Sequence, residues 1–340
     1  MTLNDSELAD LMTRPSQRLV DDIQKIEGDI LILGCGGKIG PSLAITAQRA
    51  IKQAGLNKQV IGASLFDYSD APEQMRRAGV RVIEVDLFDP VQRAALPDVK
   101  NIIYMVGRKF GTQGNPEMTW AINVLLPAKV SERFPDSDFV VFSTGNVYRF
   151  ENVGSGGSVE TDLPEPVGEY GQTSLGRERV FEFYARLHQN KMLFFRLNYA
   201  IDLRYGVLYD IARNILAGNP INPGIGYFNC IWQGDVCEYA IRSLLHANNP
   251  PNILNVTGPE HVSIRWAAEK MGELLDREPI FLDGDAPEKS LFSNTAKLNS
   301  LMGYPRMALM PMMKLVADWV RSGGKAIDAP THFEIRDGKF

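Results

Sequence analysis

From Asp29 onward the chain alternates short apolar runs with segments whose apolar residues recur every three or four positions, and this alternation constrains the fold more than any other feature. The runs are DILILG, QVIGASLF, VRVIEVD, NIIYMVG and DFVVFSTG, and MLFFRLN follows a long helical stretch that ends near Gln189. Pro41 to Gly55 places Leu43, Ala47, Ala50, Ile51 and Ala54 on one helix face, and Pro72 to Ala78 reads as a shorter helix. Strands separated by helices require right-handed crossovers and give a parallel sheet covered on both faces. The predicted fold is therefore α/β and doubly wound, with ligands at the carboxyl ends of the strands.

The first strand runs directly into glycines spaced three apart, in LILGCGGKIG, where the next helix begins. Gly34 suits the tight turn, Gly37 lets backbone approach a pyrophosphate, and Gly40 allows close helix-to-strand packing. The helix amino terminus then faces the anion, with Lys38 and Ile39 beside it.

Composition narrows the partners. With 36 basic and 41 acidic residues the net charge is −5 and there is no basic stripe, which argues against nucleic acid and anionic membranes and for a small molecule. Cys35, Cys230 and Cys237 lack CxxC spacing and read as reduced thiols. His188, His246, His261 and His332 lie too far apart for a recognisable metal pair, so no metal is expected. No run approaches the roughly 18 apolar residues of a membrane span, and a cytoplasmic protein is the simplest expectation.

The chain divides into an N-terminal helical extension (1–28), a dinucleotide-binding unit (29–195), a mixed segment with a substrate cap (196–327) and a tail (328–340). In the extension, Leu8, Leu11, Met12, Leu19, Ile23 and Ile26 suggest two short amphipathic helices interrupted at Pro15, packed on the body or serving as a partner-binding arm. GNPINPGIG, at 218–226, is rich in turn residues and suits a smaller irregular cap. The tail reads as a terminal strand or a loose end.

From about Gly28 to Ala317 the sequence resembles the extended short-chain dehydrogenase/reductase family, the NAD-dependent epimerase/dehydratase group. GxxGxxG spacing is the first mark. Asp86 and Leu87 end the third strand where that family contacts adenine; Val106 and Gly107 match the small-residue turn under the nicotinamide-side ribose; Asn123 matches an asparagine on the following helix. FSTGNVY supplies Ser143, Thr144, Val147 and Tyr148, and YGQTSLGRE stands for YxxxKLxxE with Tyr170, Leu175 and Glu178 in place. The resemblance implies a Rossmann-type fold, NAD or NADP as cofactor, catalysis by Thr144 and Tyr170, and a homodimer formed by the helices after Asn123 and Tyr170. Val180, Phe181 and Tyr184 give the latter helix an apolar stripe.

The departures are as informative. Ser64 ends the second strand where an acid would accept from the adenosine ribose, and the nearest acid is Asp67, so NAD versus NADP stays open. Ser174 replaces the lysine of the tyrosine motif. That lysine normally bonds the ribose and draws the phenol from about 10 toward neutrality. A hydroxyl can do the first weakly and the second not at all, so the cation must come from elsewhere. Lys109, or its neighbour Arg108, just past the fourth strand, is the candidate; the alternative is that both are solvated loop charges. Thr144 could equally cap the strand end.

Near GYFNCIWQGDVCEYA, Asp235 is kept, but Phe228, Asn229 and Trp232 stand where residues holding a diphosphate are expected. This favours a sugar or sugar acid without a nucleotide, unless those aromatics are simply core. Asn146, Asn198, Tyr199, Arg204, Trp232 and Arg306 are the candidate substrate contacts. The expected function is an NAD(P)-dependent oxidoreductase or epimerase acting on a hydroxyl or carbonyl carbon of a small polar substrate. Gly145 and Asn146 after Thr144, in place of an Asp-Glu pair, disfavour a dehydratase. A dinucleotide-binding regulator that has lost hydride chemistry is the alternative, and the serine at 174 speaks for it.

Overall fold

The computed structural model describes residues 3–66, 70–109, 111, 114–284, 287–327 and 331. Seven parallel strands form the central sheet: β1 Ile30–Leu33, β2 Val60–Ser64, β3 Arg81–Glu84, β4 Asn101–Tyr104, β5 Asp138–Thr144, β6 Met192–Leu197 and β7 Asn252–Val256. Their spatial order is β7-β6-β5-β4-β1-β2-β3. The order in which successive strands are laid down reverses between β1 and β4, which opens a crevice at their carboxyl ends.

Strand chemistry follows position. β1 and β4 are buried at every residue and carry Ile30, Leu31, Ile32, Leu33, Ile102 and Ile103, whereas β3 lies at the edge with Arg81 and Glu84 exposed. β7 is the strand that apolar runs do not reveal. Its sequence, NILNV, is broken by Asn252 and Asn255, yet Asn255 is fully buried, accepting from the Tyr148 hydroxyl at 2.8 Å and donating to the Ser158 carbonyl. A polar side chain satisfied in the core hid the strand.

Helices Gln17–Ile23, Gly40–Gln53 and Gln233–Arg242 cover one face of the sheet; Leu126–Arg133 and Gly168–His188 cover the other. A second core joins helices Val207–Ala217, Ile264–Leu275 and Leu309–Arg321 with Phe228 and Trp232. This lobe is more helical than its turn-rich stretch suggests. The N-terminal extension spans both cores: Leu8 and Met12 of helix Asp5–Thr13 enter the second, Leu19 and Ile23 of helix Gln17–Ile23 the first. Arg49 to Asp10 (2.6 Å) and Arg242 to Asp22 (2.7 Å) fasten it. Its apolar faces are thus committed to the body rather than offered as an arm. Of the tail, all but Thr331 lies outside the described residues, as do Asp67 and His332.

Candidate active site

The glycine turn after β1 abuts the turn after β4. Gly34 has φ +82°, and a Cβ there would come within 2.7 Å of the Val106 nitrogen, so the crossing tolerates only glycine. Gly37 differs: a Cβ built on it meets nothing closer than 3.9 Å, and its face is open. Helix Gly40–Gln53 starts beside that opening with no side-chain cap at Ile39, leaving its first N–H groups to an anion. Lys38 lies half-buried there, its carbonyl near the Gln233 amide. This turn fits a dinucleotide pyrophosphate. At the end of β2, Ser64 Oγ lies against Gly36, and past β3 the Asp86 carboxylate accepts from Phe88 N at 2.8 Å beside buried Leu87.

Asn123 is positioned by a local irregularity. Residues Ala121–Leu125 form a π-helical turn between helices Pro116–Trp120 and Leu126–Arg133, and the side chain of Asn123 is fully buried. Its Oδ1 accepts from Arg108 N (2.8 Å), and its Nδ2 donates to the Arg108 carbonyl (2.9 Å) and to Thr173 Oγ1 (2.9 Å). One amide therefore fixes both backbone polar groups of the residue before Lys109.

Thr144, Tyr170 and Lys109 meet around one cavity of about 220 Å³, which Ile39, Asn146, Asn198, Tyr199 and Tyr205 also line. Lys109 Nζ lies 5.9 Å from the Tyr170 ring centroid. Thr144 Oγ1 accepts from both the backbone N and the Nδ2 of Asn146, each at 3.2 Å. With its lone pairs engaged, its O–H is what it can offer a ligand oxygen. Asn198 packs against Gly145 and donates to Ser293 Oγ at 3.0 Å, bracing the turn beneath Thr144. Tyr199 holds φ +38°, strained for a bulky residue, as backbone at binding sites often is.

The electrostatics are cationic. Burial pulls the Lys109 ammonium down to about 8, and the neighbouring charge of Lys38 adds to that. Lys38 is likewise drawn down to about 8 by burial, offset in part by Asp210, and stacks over the Tyr205 ring at 3.2 Å. Burial, then Asp210 and Tyr170, push the Tyr205 phenol up to about 12.

Other sequence candidates lie elsewhere. Trp232 is 2% exposed in the second core, with Phe228 beside it; neither lines the cavity. Arg204 is clamped by Asp202 (2.9 and 2.7 Å) and borders a separate groove beside the N-terminal helix. Arg306 pairs with Asp235 at 3.2 Å and Glu238 at 3.4 Å. Their charges are spent on the fold. Ser174 is fully buried and its hydroxyl has no partner among the described residues.

Sequence reasoning missed Tyr205, Arg177 and Arg196. Arg196 is 2% exposed and forms a 2.6 Å bridge to Glu178, itself bonded by Ser143, while a second guanidinium nitrogen donates to the Tyr148 hydroxyl at 2.7 Å. Only the Glu178 station signalled this network. Among the described residues, no cluster of His, Cys, Asp or Glu could hold a metal, and no helix is long and apolar enough to cross a membrane.

No protein-family model and no curated protein sequence matches the chain. Solved structures do. The UDP-glucuronic acid 4-epimerase of Bacillus cereus in complex with NAD aligns with a TM-score of 0.71 at 18% identity, over 87% of this chain and 100% of that one. UDP-glucose 4-epimerase of Thermotoga maritima, with UDP-glucose, gives 0.67 at 18% identity over 87% and 99%. The Thermus thermophilus UDP-glucose 4-epimerase complex with NAD gives 0.68 at 19%, over 85% and 98%. The chain shares the Rossmann-type fold of these epimerases; at such identities the chemistry must be argued from the site.

Proposed function

We propose that the protein is an NAD-dependent epimerase or oxidoreductase acting on a secondary hydroxyl of a sugar. The observation that carries this reading is the convergence of Thr144, Tyr170 and Lys109 on one cavity beside the glycine turn. NAD is the favoured dinucleotide because the Bacillus and Thermus structures are NAD complexes. When bound, it supplies the hydride acceptor.

Tyr170 takes the proton of the sugar hydroxyl, Thr144 donates to the same oxygen, and Lys109 places a positive charge beside that transfer in place of a lysine at 174. Epimerisation would require the ring to turn over, the hydride to be restored to the other face of the keto carbon, and Tyr170 to give the proton back to its oxygen. Asn146 and Tyr199 orient the sugar. Asn123 holds the β4 turn that would lie under the ribose.

The sequence argument for a substrate free of nucleotide loses its support. Phe228 and Trp232 are core residues, and Asn229 is buried with its amide on the Ser293 carbonyl, so that stretch gives no reason against a diphosphate. The Thermotoga structure holds UDP-glucose, which favours a nucleotide-linked sugar. We place the homodimer contact on helix Gly168–His188, where Phe183 and Leu187 are both 60% exposed; Phe181, expected on that stripe, faces the sheet core instead.

The test is incubation of the protein and NAD with UDP-glucose, UDP-glucuronic acid and their unlinked sugars, with products resolved by NMR. Conversion of a UDP-sugar to its epimer or keto product supports the reading. NAD binding without turnover of any sugar hydroxyl favours the regulator, for which the serine at 174 speaks.

A further inference from the structure

The helix that carries Tyr170 and Ser174 brings a cation into the protein one turn further on. Arg177 is 5% exposed. Its guanidinium donates to Asn123 Oδ1 at 2.6 Å and to the Phe142 carbonyl at 2.9 Å, while its Nε has no partner among the described residues. None of its hydrogen bonds there goes to a carboxylate; Glu178, next in sequence, is committed to Arg196. A buried guanidinium with no carboxylate partner among the described residues is costly to retain, and an apolar side chain would fill the volume more cheaply.

Its placement accounts for its presence. The terminal nitrogen fills the space beside Gly107, where a Cβ would lie 2.6 Å away, so Arg177 packs directly against the turn after β4. The Asn123 oxygen it holds also receives Arg108 N. Arg177 thus fixes Asn123, Asn123 fixes both backbone groups of Arg108, and the next residue is Lys109.

We propose that Arg177 is a positioning residue, which holds Asn123 and the Gly107–Lys109 turn so that the Lys109 ammonium stays over Tyr170. The proposal rests on the reading of Tyr170 and Lys109 as the proton-transfer pair. The positive charge absent from position 174 is divided on this account: Lys109 faces the phenol, and Arg177 secures the turn that presents it.

The test uses Arg177→Met, Arg177→Lys and Gly107→Ala, each alone and with Lys109→Ala, assayed with the whole chain, NAD and the sugar it turns over. Gly107→Ala displaces the guanidinium without deleting its charge, and serves if Arg177→Met does not fold. Arg177→Met should lower kcat/KM roughly 10- to 100-fold, Gly107→Ala less, and Arg177→Lys should recover part of the loss. In a Lys109→Ala background the same changes should lower it by no more than about threefold, because the residue they act through is gone. Equal losses in both backgrounds, or no loss, would overturn the proposal.

An activity-independent measurement separates this from the functional reading. NMR titration of labelled lysines in the NAD-free protein should show the Lys109 midpoint moving upward in Gly107→Ala as the ammonium regains water. A midpoint unmoved from wild type refutes the positioning role whether or not a sugar substrate exists. Absence of turnover by wild type, with that shift present, sinks the functional reading alone.

Discussion

Lys109 Nζ sits 5.9 Å from the centre of the Tyr170 ring, presented from the loop after β4 rather than from the tyrosine's own helix. The cation and the phenol belong to different elements, and both line the same cavity. Their relationship therefore depends on how the loop is held, not on helical spacing.

Burial places the Lys109 ammonium near 8, which gives the account a pH signature. The lysine is charged below that value and neutral above it. If its charge supports proton transfer, kcat/KM should fall as pH rises through about 8. Lys109→Arg, whose charge persists past pH 12, should move the fall to higher pH, and Lys109→Ala should be low throughout. A wild-type profile level from pH 7 to 10 would rule out this role.

The same shift bears on stability of the NAD-free protein. A lysine lowered from its ordinary value penalises the folded state in full below about 8, and the penalty is relieved between there and about 10.5. Removing the charge with Lys109→Met should therefore stabilise the free protein at pH 7 and have little effect at pH 10.5. Urea midpoints at the two pH values decide this, and equal shifts at both would contradict it.

Gly37 is open on the side where the helix Gly40–Gln53 begins, so a Cβ there would meet no part of the described fold closer than 3.9 Å. Gly37→Val should fold with wild-type circular dichroism and lose NAD affinity at least tenfold by calorimetry. Unchanged affinity would remove the glycine turn from the cofactor site.

Glu178 and Arg196 are 1% and 2% exposed and 2.6 Å apart. Glu178→Gln leaves a buried guanidinium without its charge partner and should cost about 3–5 kcal/mol in urea unfolding. Replacing both with apolar residues, Glu178→Leu with Arg196→Met, should cost less than either single change. A double variant as unstable as the sum of the singles would argue against this.

Phe183 and Leu187 project into solvent from the helix that bears Tyr170. If this face pairs two copies, Phe183→Asp with Leu187→Asp should convert a dimer to a monomer in light scattering at micromolar concentration. A wild-type monomer would refute the assignment.

The sheet and the glycine turn are legible in the sequence because their signals are local. Apolar runs mark the buried strands, and the glycine spacing marks the crossing of Gly34 and Val106. Asn255 shows the limit: a buried asparagine satisfied by Tyr148 and Ser158 looks, in sequence, like the end of a strand. Trp232 shows another, since a tryptophan beside a turn-rich segment reads as a ligand contact until its packing in the second core is known. Arg204 and Arg306 stand out in sequence for their charge, which Asp202 and Asp235 consume. Arg177 is invisible there because its contacts to Asn123 and Phe142 are 54 and 35 residues away along the chain.

The most direct measurement is the turnover of Tyr170→Phe on a verified sugar substrate, with NAD affinity measured alongside. If Tyr170 is the proton acceptor, losing its phenolic oxygen while keeping the ring under Lys109 should lower kcat by roughly 10²-fold or more while NAD binds as in wild type. Full turnover by Tyr170→Phe would show that this tyrosine moves no proton, and the account of the cavity as an acid/base site would be wrong.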